Sequence, residues 1–402
     1  EEGHGSGVTN EFYSLVSDAL QRRDTRLWIC DDAGAADVVT KKQKPMASTT
    51  IEQHAATTSA SKNSTSSSAT ATSSQQQQEE ERNKFVVRDG GLFPAPLPEG
   101  MDGSKEVLDK FHFLGTFLAK ALLDSRLVSL PLSLPFFKLV CRYPLTLTDL
   151  AVIDPDKGRH LSQLQAVAAR KHAADAMTDP QERQEAMSQL PDVASYCLTM
   201  EYAPSSVMHG FTSHELVPNG ADVAVTLDNV EEYVQLMCRF MLEDGVAAQR
   251  AAIRAGIAEV FPPSQLNALT PQELRRMLSG EGNVAWTREE LLEQVEPRNG
   301  YAADSETFVQ FVDVLCSLEE RERRDFLRFA TGVRVLPPGG LKNLDPKLTV
   351  VKKICDDDPD QHFPSANTCF HFVKLPQYSS KERLAGQLRI ALQHGMGGFF
   401  FN

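Results

Sequence analysis

The sequence predicts an α+β protein built from more than one packing unit. Its 402 residues exceed the usual size of one domain and suit about two or three units. Before Gly280, apolar residues recur at three- and four-residue steps, which is the spacing of one buried helix face. After Asn283, helical segments alternate with short apolar strands. We therefore expect a larger, mainly helical first part and a smaller second part that contains a sheet.

Composition and charge exclude two classes of partner. Apolar residues make up 41% of the chain and charged residues 24%, which is ordinary for a folded domain. The net charge of −13 argues against a nucleic-acid surface, which needs clustered Lys and Arg to displace counterions. The most apolar stretches, 107–123 and 127–140, are interrupted by charged residues and prolines, so we expect no membrane span. The acidic, polar start does not resemble a signal peptide.

The first hundred residues alternate between folded and low-complexity sequence. Apolar residues at helical spacing predict a helix over 10–21. The segment 31–83 is rich in Ser, Thr, Ala and Gln and cannot bury enough apolar surface to offset its ordering entropy, so we expect a disordered insertion. The stretch 107–123 then predicts a buried helix, because leucines and phenylalanines recur every three or four residues.

Three further elements follow before the glycine-rich segment. The Ala-, Arg- and Gln-rich stretch 166–189 predicts a helical elaboration on the surface. The turn residues Pro218-Asn-Gly220, between 215–217 and 223–227, predict a β-hairpin. The stretch 229–242 predicts a second amphipathic helix, since its apolar residues lie on one side.

A glycine-rich segment ends the helical part of the chain. Thr270-Pro-Gln-Glu273 predicts a helix start with a capping box, and that helix should end at Gly280. Gly280 and Gly282 form a plausible hinge, although Gly280 is equally compatible with a simple helix C-cap. Beyond them, the pattern predicts strands over 348–354 and 370–375.

The cysteines indicate an intracellular protein. The seven cysteines are scattered and contain no CxxC pair, which is typical of a reduced compartment, either cytoplasm or nucleus. Cys238 and Cys316 fall in apolar helical stretches and are expected in the core. Cys369 differs, because it follows the polar loop 363–368 and precedes a strand. Such a thiol is accessible and held by a rigid element, although a loop cysteine is more often incidental than catalytic.

Sequence blocks on both sides of Cys369 carry a resemblance to a known family. The blocks are Phe329-Ala-Thr-Gly332, Pro338-Gly-Gly-Leu341, Leu348-Thr-Val-Val351, Pro364-Ser-Ala-Asn-Thr-Cys-Phe370 and Leu375-Pro-Gln-Tyr-Ser-Ser380. Together they resemble the active-site region of HECT ubiquitin ligases, and 111–120 and 227–233 resemble the larger lobe of that family. The segment 339–352 is similar to the ubiquitin-fusion-degradation and thyroid-receptor-interactor branch.

The resemblance implies a bilobal enzyme. It places a mainly helical N-lobe at 1–282, with a conjugating-enzyme-binding subdomain at about 150–240, then a hinge and a smaller α/β C-lobe at 283–402. In this family, ubiquitin passes from a conjugating enzyme to the cysteine as a thioester and then to a lysine of a protein substrate, building polyubiquitin for degradation. No cofactor and no metal are implied.

The resemblance also implies roles for individual residues. Thr368, Phe370 and His371 are expected to support the loop of Cys369. Phe399 matches a terminal phenylalanine used in ligation, although it could equally anchor the tail on an apolar patch. The conjugating-enzyme groove corresponds to Leu161, Leu164, Leu198, Tyr233 and Met237. Without the resemblance these five are better explained as core residues. The lengthened segment 165–192, and a methionine at 237 where an aromatic is commoner, put the exact contacts in doubt.

Three alternatives remain at the level of sequence. A thiol protease could use His371 as base, although a strand neighbour cannot be assumed to reach the thiol and no oxyanion motif is evident. A zinc site could use Cys355, His362, Cys369 and His371, although the knuckle spacing of structural zinc is missing. A non-catalytic module could keep the fold and bind ubiquitin or its carriers.

Overall fold

The computed structural model describes residues 6–31, 84–101, 103–206, 209–280 and 285–394. The predicted insertion, apart from Asp31, lies outside these ranges, and so do Gly282 and Phe399.

The first unit is mainly helical, as the periodicity predicts. The most extensive contact between two of its helices joins Ser104–Leu123 to Ala247–Ala258. The two backbones approach closely at Gly115 and Gly256. A Cβ on either glycine would lie 2.0 Å from a carbonyl oxygen of the other helix, so only glycine permits this spacing. The helices are α1 (Ser6–Gln21), α2 (Ser104–Leu123), α3 (Leu134–Cys141), α4 (Leu147–Ile153), α5 (Pro155–Asp175), α6 (Pro180–Ser188), α7 (Val230–Leu242), α8 (Ala247–Ala258) and α9 (Pro271–Ser279).

The predicted helices of this unit are confirmed. α2 buries Phe111, Leu114 and Leu118 against the first hydrophobic core. The elaboration predicted over 166–189 consists of the end of α5 and all of α6, and α6 buries no side chain. α9 begins with the expected capping box at Thr270, whose hydroxyl accepts the amide of Glu273 at 3.2 Å.

The predicted hairpin over 215–227 is wrong. β2 (His214–Glu215) pairs antiparallel with β1 (Glu201–Tyr202), which precedes it in the chain. The segment after the turn wraps around Met200 instead, whose amide lies 3.0 Å from the carbonyl oxygens of Gly220 and Val223. Since these contacts reach back to residue 200, the turn signal at Asn219 does not lead into a second strand of a hairpin.

The second unit combines a small sheet with helices. Its helices are α10 (Arg288–Gln294), α11 (Glu306–Ser317), α12 (Glu320–Thr331) and α13 (Lys381–His394). Its strands are β3 (Glu296–Arg298), β4 (Thr349–Lys352), β5 (Ser365–Asn367) and β6 (Phe372–Leu375). The strand order is β3-β4-β6-β5; β3, β4 and β6 run parallel, and β5 is antiparallel to β6. The predicted α+β fold is therefore confirmed.

The strand predicted over 370–375 is shorter than expected. β6 begins at Phe372, and His371 has a φ of 52°, which is incompatible with an extended strand. The polar residues before Cys369, expected to be a loop, include β5 instead. Cys369 therefore lies in the turn of a β5–β6 hairpin, not between a loop and a strand.

The hydrophobic residues form two separate cores. The first cluster extends to Leu278, and the second begins at Trp286. Between them, Gly280 caps α9 with a φ of 65°, and a Cβ there would lie 2.1 Å from the carbonyl oxygen of Leu336. The C-cap interpretation of Gly280 is thus supported by geometry. A hinge over 280–283 and the lobe boundary at 282 stay predictions.

A polar seam joins the two units. Asp18 of α1 accepts Arg328 at 2.9 Å and Arg334 at 3.2 Å, both from the second unit. These three side chains retain only 18–27% of their exposure, so water screens the charges incompletely. Nearby, Asn10 donates to the carbonyl oxygen of Thr331 at 3.4 Å. We call this group the Asp18 seam.

We expect Asp18→Asn to lower the free energy of unfolding by about 1–2 kcal/mol, because it removes the carboxylate that Arg328 and Arg334 share, although Arg334 keeps Asp325 at 3.8 Å. Urea unfolding would measure the change. Asp24→Asn is the matched control, since Asp24 pairs with Arg22 at 2.5 Å in an exposed setting, and it should leave stability unchanged. Equal stability of the Asp18 variant and wild type would show that the seam contributes nothing.

Candidate active site around Cys369

Cys369 lies in the turn that joins β5 and β6. The register pairs Asn367 with Phe372, so the turn spans 368–371. The amide of Phe370 donates to the carbonyl oxygen of Asn367 at 3.3 Å, which closes the turn. The side-chain Oδ1 of Asn367 accepts the amide of Cys369 at 3.1 Å, an Asx turn. The thiol is half-buried at the end of this hairpin.

His371 anchors the base of the turn. Its side chain is 3% exposed, and its Nδ1 donates to the carbonyl oxygen of Pro346. Its own carbonyl oxygen accepts the amide of Thr349 at 2.9 Å, which connects the turn to β4. Burial lowers the pKa of His371 from its usual value of 6.5, because the interior disfavours the charged ring. A neutral His371 therefore holds the hairpin on the second core.

The hairpin end lies beside the Asp18 seam. A Cβ placed on Gly332 would be 3.8 Å from Cβ of Thr368 and 3.4 Å from Cβ of Asn10. Gly332 has a φ of 83° and ends α12 as its left-handed C-cap. The residue before the cysteine therefore comes close to α1 of the first unit, 300 and more positions earlier in the chain.

An exposed aromatic ring lies next to the thiol. Phe370 is 58% exposed, and its ring centroid is 5.9 Å from that of Phe372. Thr368, Phe370 and His371 share the turn with Cys369 but differ in burial. His371 is buried beneath the turn, whereas Phe370 faces outwards, and their support of the cysteine loop stays a prediction.

The other cysteines differ in their surroundings. Burial raises the pKa of the Cys238 thiol to about 11, which disfavours the nucleophilic thiolate. Cys30 and Cys141 are buried, and burial raises the pKa of each thiol. The expectation of a core position for Cys316 is wrong. It is exposed because Phe311, Val312 and Leu315 occupy the inward face of α11.

The residues predicted to form the conjugating-enzyme groove are mostly buried. The side chains with no more than 5% exposure are Leu161, Leu164, Tyr233 and Met237. They belong to the first core, where α5 packs against α7, and Leu198 is partly buried against it. Salt bridges from α5 reinforce this packing, with Lys171 3.3 Å from Asp228. These four buried side chains lie beneath the surface of the subdomain and support it. Their direct contact with a partner stays a prediction, and their burial argues against it.

The structure bears on two of the alternatives. His371 bonds Pro346 through Nδ1, which fixes the tautomer of the neutral ring and leaves Nε2 as an acceptor, so this contact does not decide the protease alternative. Across the described ranges there is no cluster of three or more His, Cys, Asp or Glu residues able to hold a metal ion. His362, one candidate zinc ligand, bonds Asp357 instead.

One residue of the site was missed at the level of sequence. This residue is Asn367, whose side chain accepts the amide of Cys369. The sequence contains a signal for it, because an asparagine two residues before another residue often forms an Asx turn. No helix in the described part of the chain is long and apolar enough to cross a membrane.

Comparison with known proteins gives one consistent result. Residues 15–402 match the model of the HECT-domain (ubiquitin-transferase) family. Over 100% of its length, the chain is 39% identical to E3 ubiquitin-protein ligase hecd-1 of Caenorhabditis elegans and 35% identical to E3 ubiquitin-protein ligase Ufd4 of Drosophila melanogaster. It is 31% identical to E3 ubiquitin-protein ligase TRIP12 of Danio rerio over 99% of the chain. The chain spans only 15–18% of the length of these relatives. The branch expected from 339–352 is thereby confirmed.

We expect stability to fall as the pH drops below 6.5, because the unfolded chain takes up a proton on His371 before the folded chain does. The contribution is complete above pH 6.5 and is lost as the pH falls towards the lowered pKa of the folded state. Urea midpoints on both sides of pH 6.5 would measure the loss. His371→Asn, which tolerates the positive φ, should reduce this dependence. An identical pH profile in that variant would contradict the assignment.

Proposed function

Since this chain belongs to the HECT-domain (ubiquitin-transferase) family, we propose that it transfers ubiquitin through a thioester on Cys369. The observation that supports this role most directly is the position of the thiol, in an exposed turn that is anchored from below by His371. A nucleophile for protein-sized substrates needs both access and a rigid base.

Two acyl transfers make up the proposed reaction. In the first, the Cys369 thiolate attacks the ubiquitin thioester of a conjugating enzyme; a new carbon–sulfur bond forms and the thiolate of the conjugating enzyme leaves. In the second, a neutral lysine amine of a protein substrate attacks the Cys369 thioester. The carbon–nitrogen bond forms and the carbon–sulfur bond breaks; the nitrogen releases one proton to solvent, the Cys369 thiolate leaves, and an isopeptide bond remains. The second transfer is downhill because an amide is more stable than a thioester.

The exposed setting of the turn suits these partners. Both acyl donor and acceptor are proteins, so they must approach Cys369 from the side on which Phe370 is exposed. The base of the hairpin is fixed by β4 and by Pro346, so the approach of a partner need not move the second core. Repeated transfer would build polyubiquitin that directs substrates to degradation inside the cell.

Docking of the conjugating enzyme is proposed on the surface of the subdomain at about 150–240. Leu198 belongs to that surface, because it is only partly buried, and the exposed Tyr196 precedes it by two residues. Leu161, Leu164, Tyr233 and Met237 are buried beneath this surface and support it by packing. Phe399 is proposed to act in the second transfer only, where the acceptor lysine must be placed against the thioester.

Incubation with activating enzyme, conjugating enzymes, ATP and ubiquitin should give a thiol-sensitive adduct on a non-reducing gel. We expect Cys369→Ala to abolish this adduct and to reduce chain synthesis by at least about 1,000-fold, since no other group replaces the nucleophile. Cys316→Ala is the matched control, because Cys316 is an exposed thiol of the same unit, and it should retain the adduct.

The same assay separates the two transfers. Phe399→Ala should form the thioester normally but discharge it more slowly to lysine. If no conjugating enzyme charges the wild-type protein, or if Cys369→Ala still builds chains, the proposed function fails. If Phe399→Ala slows both transfers equally, its role in the second transfer is excluded.

We expect Met237→Ala to lower the free energy of unfolding by about 2–5 kcal/mol, because it leaves a cavity in the first core. Leu198→Ala should change stability little and weaken conjugating-enzyme binding, since part of this side chain is exposed. Urea unfolding and a binding titration measure the two effects. Weak binding by Met237→Ala with unchanged stability would show instead that Met237 contacts the partner directly.

A further inference from the structure

We propose that Asn367 is a positioning residue for ubiquitin transfer, because its side-chain carbonyl holds the amide of Cys369 and so fixes the direction of the thiol. The inference rests on the proposed function and adds a residue to it. Asn367 makes two bonds to the turn: Oδ1 accepts the amide of Cys369 at 3.1 Å, and its main-chain oxygen accepts the amide of Phe370 at 3.3 Å.

The strand ladder and the second core restrain the base of the turn more directly than its end. The strand ladder fixes Asn367 and Phe372, and the buried ring of His371 fixes the base. Cys369 is outside the ladder, and Phe370 is 58% exposed, so core packing restrains neither of them fully. In an exposed turn, a bond from a side chain to a nearby amide narrows the accessible conformations.

The chemistry depends on this direction. Thioester exchange requires the sulfur to approach the carbonyl carbon at about 3–3.5 Å along a defined line, and a misplacement of about 1 Å can cost 100-fold in rate. The main chain of Cys369 sets the Cα–Cβ direction and therefore the path of the sulfur. Asn367 touches no reacting atom by this contact. It acts through the amide, and the bonds formed and broken are those of the proposed reaction.

The geometry of this contact also predicts which side chains can replace asparagine. The role needs an acceptor oxygen two residues before the cysteine, which aspartate and serine provide and which alanine and leucine lack. Asn367 is exposed, so these substitutions open no cavity in the core. Leucine is the sharpest test, because it is close to asparagine in size and has no acceptor.

Single-turnover transfer from a charged conjugating enzyme tests the proposal. Asn367→Leu and Asn367→Ala should lower the maximal rate of thioester formation about tenfold, with the half-saturating donor concentration little changed. Asn367→Ser and Asn367→Asp should stay within about threefold of wild type. Asp358→Ala is the matched control, because it removes the same kind of contact, from Oδ1 to the amide of Asp360 at 3.0 Å, outside the hairpin. It should leave the rate unchanged.

Hydrogen exchange of the Cys369 amide, followed by NMR, provides a second readout that needs no ubiquitin. Exchange should be slow in the wild type and in the Ser and Asp variants, and faster in the Ala and Leu variants. The proposal is overturned if the Leu and Ala variants transfer at the wild-type rate, or if Ser and Asp are as slow as Ala. If the wild type accepts no ubiquitin, the proposed function fails, and amide exchange alone then decides whether Asn367 holds the turn.

Discussion

The carboxylate of Asp18 joins the two units of this protein through a shared ion pair. It lies on α1 of the first unit and is shared by Arg328 and Arg334 of the second, all three being mostly shielded from water. Among the described residues, each unit has its own hydrophobic core, and the two cores are separate clusters. The position of the Cys369 turn relative to the first unit therefore depends on polar contacts, which are weaker and more readily exchanged than a shared core.

The cysteine turn combines two kinds of restraint. Its base is held by burial: His371 adopts a left-handed conformation that directs its ring towards Pro346 and its carbonyl oxygen towards β4. Its end is held in part by local bonds from Asn367. This division suits the proposed acyl relay between proteins, which requires a thiol that large partners can reach and a support that stays fixed.

The end of α5 and all of α6 form a surface elaboration that bears on the predicted conjugating-enzyme groove. Its extra turns pack against α7, with Lys171 bridging Asp175 and Asp228 at 3.2 and 3.3 Å, and the residues beneath are buried. A stripe of apolar residues at helical spacing has the same sequence signature whether it faces a core or a partner. For Tyr233 and Met237, the packing of α5 against α7 decides that these side chains face the core and not a partner. Only the tertiary structure places α5 there.

The sequence by itself determined the longer amphipathic helices, the α+β class and the family, because periodicity, capping residues and the blocks around Cys369 are local patterns. It did not determine the partner of β2, the start of β6 or the hairpin around Cys369, since each depends on which distant segment supplies the hydrogen bonds. Only the tertiary structure decided that Asp18 meets Arg328, more than 300 residues away. No local pattern encodes such a contact, because its free energy arises only when two separately folded cores are brought together.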